Sequence, residues 1–312
     1  MIGDLPYLSL NNYFKKKYSN RVQKITVSLP LTCPNIDGTK GVGGCTYCFD
    51  GSIPPQNSRK IPLSEQINNG IQRGKKKYGQ NTKFIIYYQT NSNTYDKFEN
   101  LKNYYDEVLK FNDIIGIDIG TRADCIDDKI LELINSYTEK LSEVWIEYGL
   151  QSANDETLKK INRGHSVDDF VNAVLKTKKT KIKVIAHIIV GFPWETKEDF
   201  FKTAKLCADL KIDGIKIHPL YIMKETILGD IYEKEKFKLL ELDEYINILS
   251  EIIELLPKGT VIIRFTAEGD KKYLLAPDYC KPEYKNIIKE RLINYMKENN
   301  KKQGTHISKN SL

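Results

Sequence analysis

The chain has 312 residues, a formal net charge of +7 and 40% hydrophobic residues, which is enough for one large α/β barrel or two ordinary domains. It has no run of roughly eighteen apolar residues, and its first residues lack the apolar segment of a signal peptide. We therefore expect a cytoplasmic protein with no membrane partner, whose six cysteines are reduced.

Short lysine runs suggest a polyanionic partner. They lie at 15–17, 75–77, 176–181 and 301–302, and tyrosines flank the first two runs. RNA, tRNA included, is a partner that such runs favour. The alternative is a lysine-rich chain whose charge runs are solvated faces.

The N-terminal region, residues 1–24, mixes aromatic and basic residues and predicts a short helical lead-in. Residues 25–31 alternate and are β-branched, which predicts the first strand. The segment 33–55 follows directly and contains three of the six cysteines, Cys33, Cys45 and Cys48. Eleven residues separate the first two of these cysteines and two separate the last two, with four glycines between the first pair. Permissive backbone of this kind suits a loop that folds around an inorganic centre.

Three thiolates without a fourth Cys or His nearby suit a [4Fe-4S] cluster in which one iron has no protein ligand. A zinc loop is the alternative, although tetrahedral zinc would need a fourth ligand. The whole pattern, Cys-Pro-Asn-x-Asp-Gly-Thr-x-Gly-x-Gly-Gly-Cys-x-x-Cys, resembles the radical SAM proteins of the YhcC/YtqA type. These are relatives of the radical SAM domain of the Elongator catalytic subunit.

This resemblance implies both the cofactors and the chemistry. S-adenosylmethionine (SAM) would bind the open iron, and an electron from the reduced cluster would cleave it to a 5′-deoxyadenosyl radical. The radical would then remove a hydrogen atom from an unactivated carbon. The reaction needs a reductant such as flavodoxin or ferredoxin as a partner.

The remaining elements alternate between helix and strand. Helices are predicted at 63–78, 98–111, 130–141, 167–177 and 197–210, and strands at 84–88, 116–120, 144–150, 182–190 and 214–220. Six strands in all indicate an α/β fold, and the resemblance implies the partial (β/α)6 TIM-like radical SAM barrel with a C-terminal α/β extension. The extension consists of a helix at 240–256, a strand at 261–265 and a helix at 284–297.

The predicted organisation has four parts. They are the lead-in 1–24, the core barrel 25–220, the extension 221–298 and a basic disordered tail 299–312.

Several cofactor-binding residues are predicted near strand ends. Gln89 and Asn91 belong to a polar segment after the second strand that resembles the family's Gln-x-x-x-Asn-Thr-Tyr, although an ordinary capped loop is the alternative. Glu147 lies in an apolar strand, where a charge is costly unless it faces a polar site. The resemblance places Glu147 at the barrel mouth and Gln151 near the ribose or methionyl part of SAM.

Two further motifs extend this set. Arg163 and His165 lie in the Asn-Arg-Gly-His signature and are expected to bind the SAM carboxylate or the substrate, unless this is only a helix-ending turn. Gly191 begins Gly-Phe-Pro-Trp-Glu, where the resemblance implies close approach of the backbone to adenine.

Three residues are candidates for catalysis. Arg122 and Cys125 belong to Gly-Thr-Arg-Ala-Asp-Cys, which has Ala123 where the family usually has proline. Arg122 can hold a carboxylate or phosphate bidentately or form a structural ion pair with Asp118 or Asp124. Cys125 either contacts the active site or is a packed thiol. His187 is either catalytic or SAM-contacting, or a buried core histidine.

The resemblance suggests tRNA wobble uridine as the substrate, with conversion of 5-carboxymethylaminomethyluridine to 5-aminomethyluridine. Two alternatives remain open at this point. One is a radical SAM enzyme acting on a peptide or small metabolite, and the other is a non-enzymatic zinc-dependent RNA-binding module. Cys125, Cys207 and Cys280 have no motif spacing and are expected to be isolated thiols rather than ligands of a second cluster.

Overall fold

The computed structural model describes residues 5–49 and 60–306. Residues 50–55 of the predicted cysteine segment therefore lie outside the described residues. The strands are β1 (Val22–Val27), β2 (Lys83–Tyr88), β3 (Ile114–Thr121), β4 (Glu143–Gln151), β5 (Lys183–Val190), β6 (Gly214–Pro219), β7 (Ile222–Met223), β8 (Val261–Arg264) and β9 (Leu274–Ala276). The helices are α1 (Leu10–Lys17), α2 (Leu63–Tyr78), α3 (Phe98–Asp106), α4 (Asp128–Ser136), α5 (Asp155–Lys160), α6 (Val167–Thr177), α7 (Lys197–Asp209), α8 (Ile227–Lys234), α9 (Leu242–Leu255) and α10 (Tyr284–Glu298).

Seven parallel strands form one sheet in the order β1-β2-β3-β4-β5-β6-β8, which curls into a half-barrel. The predicted α/β class and partial barrel are confirmed. The sheet has one strand more than the six predicted, because β8 of the C-terminal region pairs with β6, with Val261 opposite Gly214. β1 and β8 are the two edges, and they bound the open side of the half-barrel.

The first strand begins three residues earlier than predicted and ends at Val27. Its pairing with β2 starts at Val22 opposite Lys83. Beyond Val27 the side-chain amide of Gln66 takes the place of a neighbouring strand. Its Oε1 accepts from the Ser28 backbone N–H at 2.9 Å, and its Nε2 donates to the Ser28 carbonyl at 3.0 Å. The strand predicted at 25–31 was therefore wrong at both ends.

The main core lies between the outer face of the sheet and the helices. Its largest fully buried members include Phe84, Tyr88, Tyr105 and Phe170. Helix α2 approaches the sheet through a glycine, since a Cβ on Gly70 would lie 2.3 Å from Ile25 Cγ2. No helix in the described ranges is long and apolar enough to cross a membrane.

Helix α1 closes the N-terminal end of the half-barrel. Phe14 of this helix packs beside Trp145 in a small buried cluster. The buried carboxylate of Glu143 accepts hydrogen bonds from Lys17 at 2.6 Å, Tyr18 at 2.8 Å and Lys183 at 2.6 Å. Because buried polar groups need partners, this cluster fixes the helix over the barrel end.

The tail predicted to be disordered from residue 299 packs against the body as far as it is described. Gln303 is 4% exposed. Its Oε1 accepts from the Leu8 N–H at 2.7 Å, and its Nε2 donates to the carbonyls of Pro257 and Thr260. The prediction was wrong for this part because one buried amide ties three distant segments together. Residues 307–312 lie outside the described residues.

Candidate active site

A cavity of about 210 Å³ lies at the carboxyl ends of the parallel strands, which is where barrel folds gather their functional groups. We call it the cysteine cavity. Its lining includes Cys33, Cys45, Cys48, Tyr87, Gln89, Thr90, Asn91, Ser92, Arg122, Glu147, Gly149, Gln151, Arg163 and His187.

Cys45 is held by two side-chain donors. Asn35 Nδ2 and Arg163 Nη1 each lie 3.6 Å from its sulfur. Two further bonds attach the cysteine loop to the segment after α5: Asn162 Nδ2 donates to the Gly44 carbonyl at 2.7 Å, and the Thr46 N–H donates to the carbonyl of residue 161 at 2.9 Å. Donors aimed at sulfur favour the thiolate, which is the form that binds iron.

The cavity wall fits a polar, partly anionic ligand. Four of its buried polar atoms have no hydrogen-bond partner within the described residues. These atoms are Thr90 Oγ1, Ser92 Oγ, Arg122 Nη1 and Arg163 Nε. Since buried polar groups are rarely left unpaired in native proteins, the wall is suited to a bound group that carries acceptors.

The three thiols line one cavity, and among the described residues no three His, Cys, Asp or Glu side chains are grouped around a single-ion position. A [4Fe-4S] cluster takes its thiolates on different irons. The residues present therefore fit a cluster held by Cys33, Cys45 and Cys48.

Below the cysteine cavity, titratable side chains from five strands meet inside the barrel. We call this set the mid-barrel layer, and it comprises Lys24, Asp118, Glu147, His187 and Lys216. Glu147 Oε2 lies 2.5 Å from Lys216 Nζ and 2.7 Å from His187 Nε2, and Glu147 Oε1 lies 3.2 Å from Lys24 Nζ. Lys24 also pairs with Asp118.

The mid-barrel layer shifts the pKa values of its two carboxylates in opposite directions. Burial would raise the pKa of Glu147, but Lys216, Lys24 and His187 together hold that pKa well below its usual value. Burial and the adjacent Glu147 instead raise the pKa of Asp118 to about 7. Burial lowers the pKa of Lys216 to about 8. A permanently ionised Glu147 therefore sits beside groups that titrate near neutral pH.

His187 contacts both the layer and the cavity. Burial and then Lys216 lower its pKa, so the ring is neutral at pH 7. A neutral ring that faces an ionised carboxylate donates its Nε2 proton to it. The structure thus gives His187 a fixed tautomer, with Nδ1 as its acceptor.

Seven of the predicted site residues line the same cavity as the three cysteines. They are Gln89, Asn91, Arg122, Glu147, Gln151, Arg163 and His187. Two of them have left-handed backbone conformations, with φ +56° at Asn91 and +71° at Gln151. Non-glycine residues held in this region often mark functional loops.

Arg122 forms the structural ion pair considered from the sequence, and its partner is Asp124. Its Nε and Nη2 donate to the two oxygens of Asp124 at 2.9 and 3.0 Å, so this pair of donors is not free to hold a ligand bidentately. Its buried Nη1 has no hydrogen-bond partner within the described residues.

Three predicted residues do not line the cysteine cavity. His165 lies behind its wall, where Nε2 is 3.0 Å from the Gly149 carbonyl oxygen, which also accepts from Arg163 Nη2 at 2.8 Å. Burial and then Arg163 lower the pKa of His165 to about 4. This histidine positions the wall and does not reach a ligand in the cavity.

Gly191 and Cys125 belong to other cavities. Gly191 has φ +107°, and a Cβ there would lie 3.1 Å from Leu240 Cδ1. Glycine is favoured here because of this backbone conformation and the close packing of Leu240. Cys125 lines a shallow cavity beside Asp124 and Asp127, and burial followed by Asp124 raises its pKa to about 11. The placement of Cys125 does not bring it to the cysteine cavity.

Cys207 and Cys280 are buried in the main core. Burial raises the pKa of Cys207 to about 12 and raises that of Cys280 as well. Both are packed thiols.

The sequence reasoning missed Lys24, Tyr87, Asp118 and Lys216. Tyr87 OH accepts from Lys216 Nζ at 2.8 Å and lines the cysteine cavity. Asp118 and Lys216 each interrupt an apolar strand, as Glu147 does. The same argument from the cost of burial would have found these two. Lys24 precedes the strand predicted at 25–31 and lies beside Gln23, so that argument does not apply to it.

The half-barrel and the three cysteines fit a SAM-dependent iron-sulfur enzyme, and sequence comparison shows that the chain belongs to this class. The radical SAM superfamily profile matches residues 38–207, and a radical SAM C-terminal domain matches residues 212–294. The chain therefore belongs to the radical SAM superfamily, and it is an enzyme that uses a [4Fe-4S] cluster and SAM.

Within the superfamily the chain is of the YhcC/YtqA type, as its cysteine loop predicts. It is 34% identical to YtqA of Bacillus subtilis over 87% of this chain and 84% of that protein. It is 31% identical to YhcC of Escherichia coli K12 over 89% of each.

Two other matches concern larger proteins. A tRNA uridine(34) acetyltransferase of Methanocaldococcus infernus is 30% identical over 49% of this chain and 29% of that protein. The structure of Elp3 from the same organism, lacking its N-terminus, superposes with a TM-score of 0.70 at 20% identity. That superposition covers 91% of this chain and 64% of the other, and it shows a shared fold.

Proposed function

We propose that this radical SAM enzyme acts on tRNA, at the carbon-5 side chain of the wobble uridine. One observation carries the proposal: the chain is similar over 162 residues to an enzyme named for tRNA uridine 34. The specific reaction we propose is conversion of 5-carboxymethylaminomethyluridine to 5-aminomethyluridine.

The cysteine cavity would hold both cofactors. Cys33, Cys45 and Cys48 would bind the [4Fe-4S] cluster, with the donors to Cys45 fixing its orientation. The cluster, when bound, supplies the electron that makes SAM a source of a carbon radical. Gln89 and Gln151 on the cavity wall would hold the polar groups of SAM.

The proposed reaction is an oxidation followed by a hydrolysis. The methylene between nitrogen and carboxylate loses one hydrogen atom, then one electron and one proton, to give an imine. Water adds to the imine carbon and the C–N bond breaks, which releases glyoxylate and leaves the aminomethyl group. This two-electron oxidation is balanced by reductive cleavage of SAM to methionine and 5′-deoxyadenosine.

The proposed substrate carries a carboxylate, and the mid-barrel layer holds two lysines, Lys24 and Lys216, that already pair with Glu147. Lys216 remains mostly ammonium at neutral pH with a pKa of about 8. A substrate carboxylate that reaches this layer would share these ammonium donors with Glu147. His187, whose Nε2 faces Glu147, would present its Nδ1 acceptor to the proton released during oxidation.

The first test uses anaerobically reconstituted protein with SAM, dithionite and tRNA that carries 5-carboxymethylaminomethyluridine. We expect 5′-deoxyadenosine, glyoxylate and 5-aminomethyluridine in equal amounts by mass spectrometry. Cys45→Ala should form none of them, whereas Cys207→Ala, a matched change in the core, should retain the reaction. Production of 5′-deoxyadenosine with no change in any tRNA nucleoside would reject the substrate.

The second test is made in cells. Deleting the gene should cause 5-carboxymethylaminomethyl nucleosides to accumulate in tRNA, and the wild-type gene should reverse this. An unchanged nucleoside profile in the deletion strain would count against the proposed reaction.

A further inference from the structure

We infer that RNA is held in a basic groove formed by two adjoining cavities beside α10, which leads into the cysteine cavity. This inference rests on the proposed function, because it takes the substrate to be RNA. The inference adds to the proposed function the surface that binds the RNA, which lies away from the reacting carbon.

The first of the two, the edge cavity, has a volume of about 720 Å³ and lies at the open side of the half-barrel. Its walls come from the β1 edge, the β8 edge and the start of α10. It shares Tyr87 and Gln89 with the cysteine cavity, so the two are neighbours across these side chains. A substrate group can therefore pass from the open side toward the cofactor residues.

The second, the end cavity, has a volume of about 790 Å³ and lies at the C-terminal end of α10. It shares Leu5, Tyr7 and Asn12 with the edge cavity. The two cavities therefore adjoin at these residues beside the helix, and together we call them the basic groove.

The side chains that line the groove carry charges of one sign, although Lys24 and Lys216 pair with Glu147 and Lys301 pairs with Glu254. The edge cavity contributes Arg21, Lys24, Lys216, Arg264, Lys285 and Lys289. The end cavity contributes Lys16, Lys258, Lys297, Lys301 and Lys302. Neither lining set contains an Asp or Glu, although the chain has 41 acidic residues beside its 48 basic ones. The neighbouring cavities beside Cys125 and Gly191 both contain acidic residues.

Many of these cations have no acidic partner in the structure. Within the described residues, no ion pair involves Lys16, Lys258, Lys289, Lys297 or Lys302. A recess lined by uncompensated positive charge attracts a polyanion. Arg264 and Lys285 share one carboxylate, Glu268, which leaves that end of the groove positive as well.

The length of the groove favours a polynucleotide. Lys285 and Lys297 lie twelve residues apart on α10, which corresponds to about 18 Å along the helix axis. A stacked strand presents a phosphate about every 3.4 Å, so the groove matches about five successive nucleotides. A single small anion would use only a fraction of this length, and a membrane surface would not enter a recess.

The test measures binding of a fluorescent RNA stem-loop with a seven-nucleotide loop to the reconstituted holoenzyme at several salt concentrations. The groove variant is Lys258→Glu/Lys297→Glu/Lys302→Glu. The control variant is Lys129→Glu/Lys202→Glu/Lys205→Glu, which makes the same charge change at exposed lysines outside the groove and outside the lysine runs. SAM cleavage without RNA reports that each variant is folded and loaded.

We expect the groove variant to bind at least about tenfold more weakly than wild type. The slope of log affinity against log salt should fall by about 2, since three phosphate contacts are lost. The control variant should change affinity less than about threefold, and both should retain RNA-independent SAM cleavage. A milder triple, with the groove lysines changed to alanine, should give an intermediate loss.

The two proposals fail in different ways. Wild-type protein that does not bind RNA in any salt overturns the proposed substrate. Tight binding by wild type that the groove and control variants reduce equally, or not at all, overturns the groove and leaves the substrate standing.

Discussion

Glu147 shows at the scale of one residue how the barrel interior is organised. Its two oxygens contact Lys24, His187 and Lys216, which come from three other strands. An ionised carboxylate without these partners would be costly at a site that is 1% exposed. The residue is therefore both a structural anchor and the floor of the cysteine cavity.

The cysteines differ in their surroundings, so their alanine variants should differ in cluster binding and in SAM cleavage. Cys45 receives two hydrogen bonds at the cavity wall, whereas Cys125 lies in another cavity. We expect Cys45→Ala to lose the visible absorbance of the cluster and all 5′-deoxyadenosine formation. Cys125→Ala should retain both, as measured on anaerobically reconstituted protein. Loss of SAM cleavage in Cys125→Ala would restore the catalytic role predicted for it.

His165 should make stability depend on pH. Its pKa is lowered to about 4 in the folded protein, against 6.5 for an unperturbed histidine. The unfolded chain therefore binds more protons here between those values. The stabilisation is fully present above pH 6.5 and lost as pH falls toward 4, with a magnitude of about 3 kcal/mol.

The contribution of His165 to the pH dependence of the free energy of unfolding can be isolated by urea unfolding. Wild type and His165→Asn are compared between pH 4 and 7. The free-energy difference between them should shrink as the pH falls. Asp118, whose raised pKa of about 7 gives a slope of opposite sign, is present in both proteins and cancels. A difference that is constant with pH would contradict the assigned pKa.

At the scale of elements, the approach of α2 to the sheet depends on a missing side chain. Alanine normally stabilises a helix relative to glycine. At Gly70 the added Cβ would meet Ile25 at 2.3 Å, so the expected sign is reversed. We predict that Gly70→Ala destabilises the fold by about 1–3 kcal/mol.

The measurement is chemical denaturation, with Asn68→Ala on the exposed face of α2 as the matched control. That control should stabilise by a few tenths of a kcal/mol, because alanine is the better helix former. If Gly70→Ala also stabilised the protein, the close packing of α2 on β1 would be disproved.

At the scale of the whole molecule, the segment that contains Leu8 is joined to the segment that contains Gln303. Gln303 bonds the N-terminal segment at Leu8 and the loop before β8. The Ile262 N–H of β8 in turn donates to the Leu8 carbonyl at 2.8 Å. The C-terminal region is thereby part of the barrel edge that borders the basic groove.

We predict that Gln303→Ala costs about 1–3 kcal/mol, because it leaves the Leu8 N–H without its acceptor. Hydrogen exchange should be faster at Leu8 than in wild type, and urea unfolding should give the free energy. Lys302→Ala, an exposed neighbour, should leave both unchanged. Equal exchange rates in Gln303→Ala and wild type would show that the tail does not hold the N-terminal segment.

Local elements and the family of the chain can be read from the amino-acid sequence alone. Helix α2 and helix α6 begin and end where their periodicity and caps predict. The motif that contains Cys33, Cys45 and Cys48 resembles that of radical SAM proteins, and the family comparison confirms this membership. Such signals are local, since they depend on side-chain period, capping and motif spacing within about twenty residues.

Contacts between residues far apart in the sequence become visible only in the folded chain. In the structure β8 pairs with the sheet, Lys24 contacts Glu147, and Cys125 lines a cavity other than the cysteine cavity. The basic groove likewise combines residues from both ends of the chain. These contacts depend on strand order and sheet curvature, which determine the neighbours of a side chain. Neither property can be read from the residues adjacent to that side chain in the sequence.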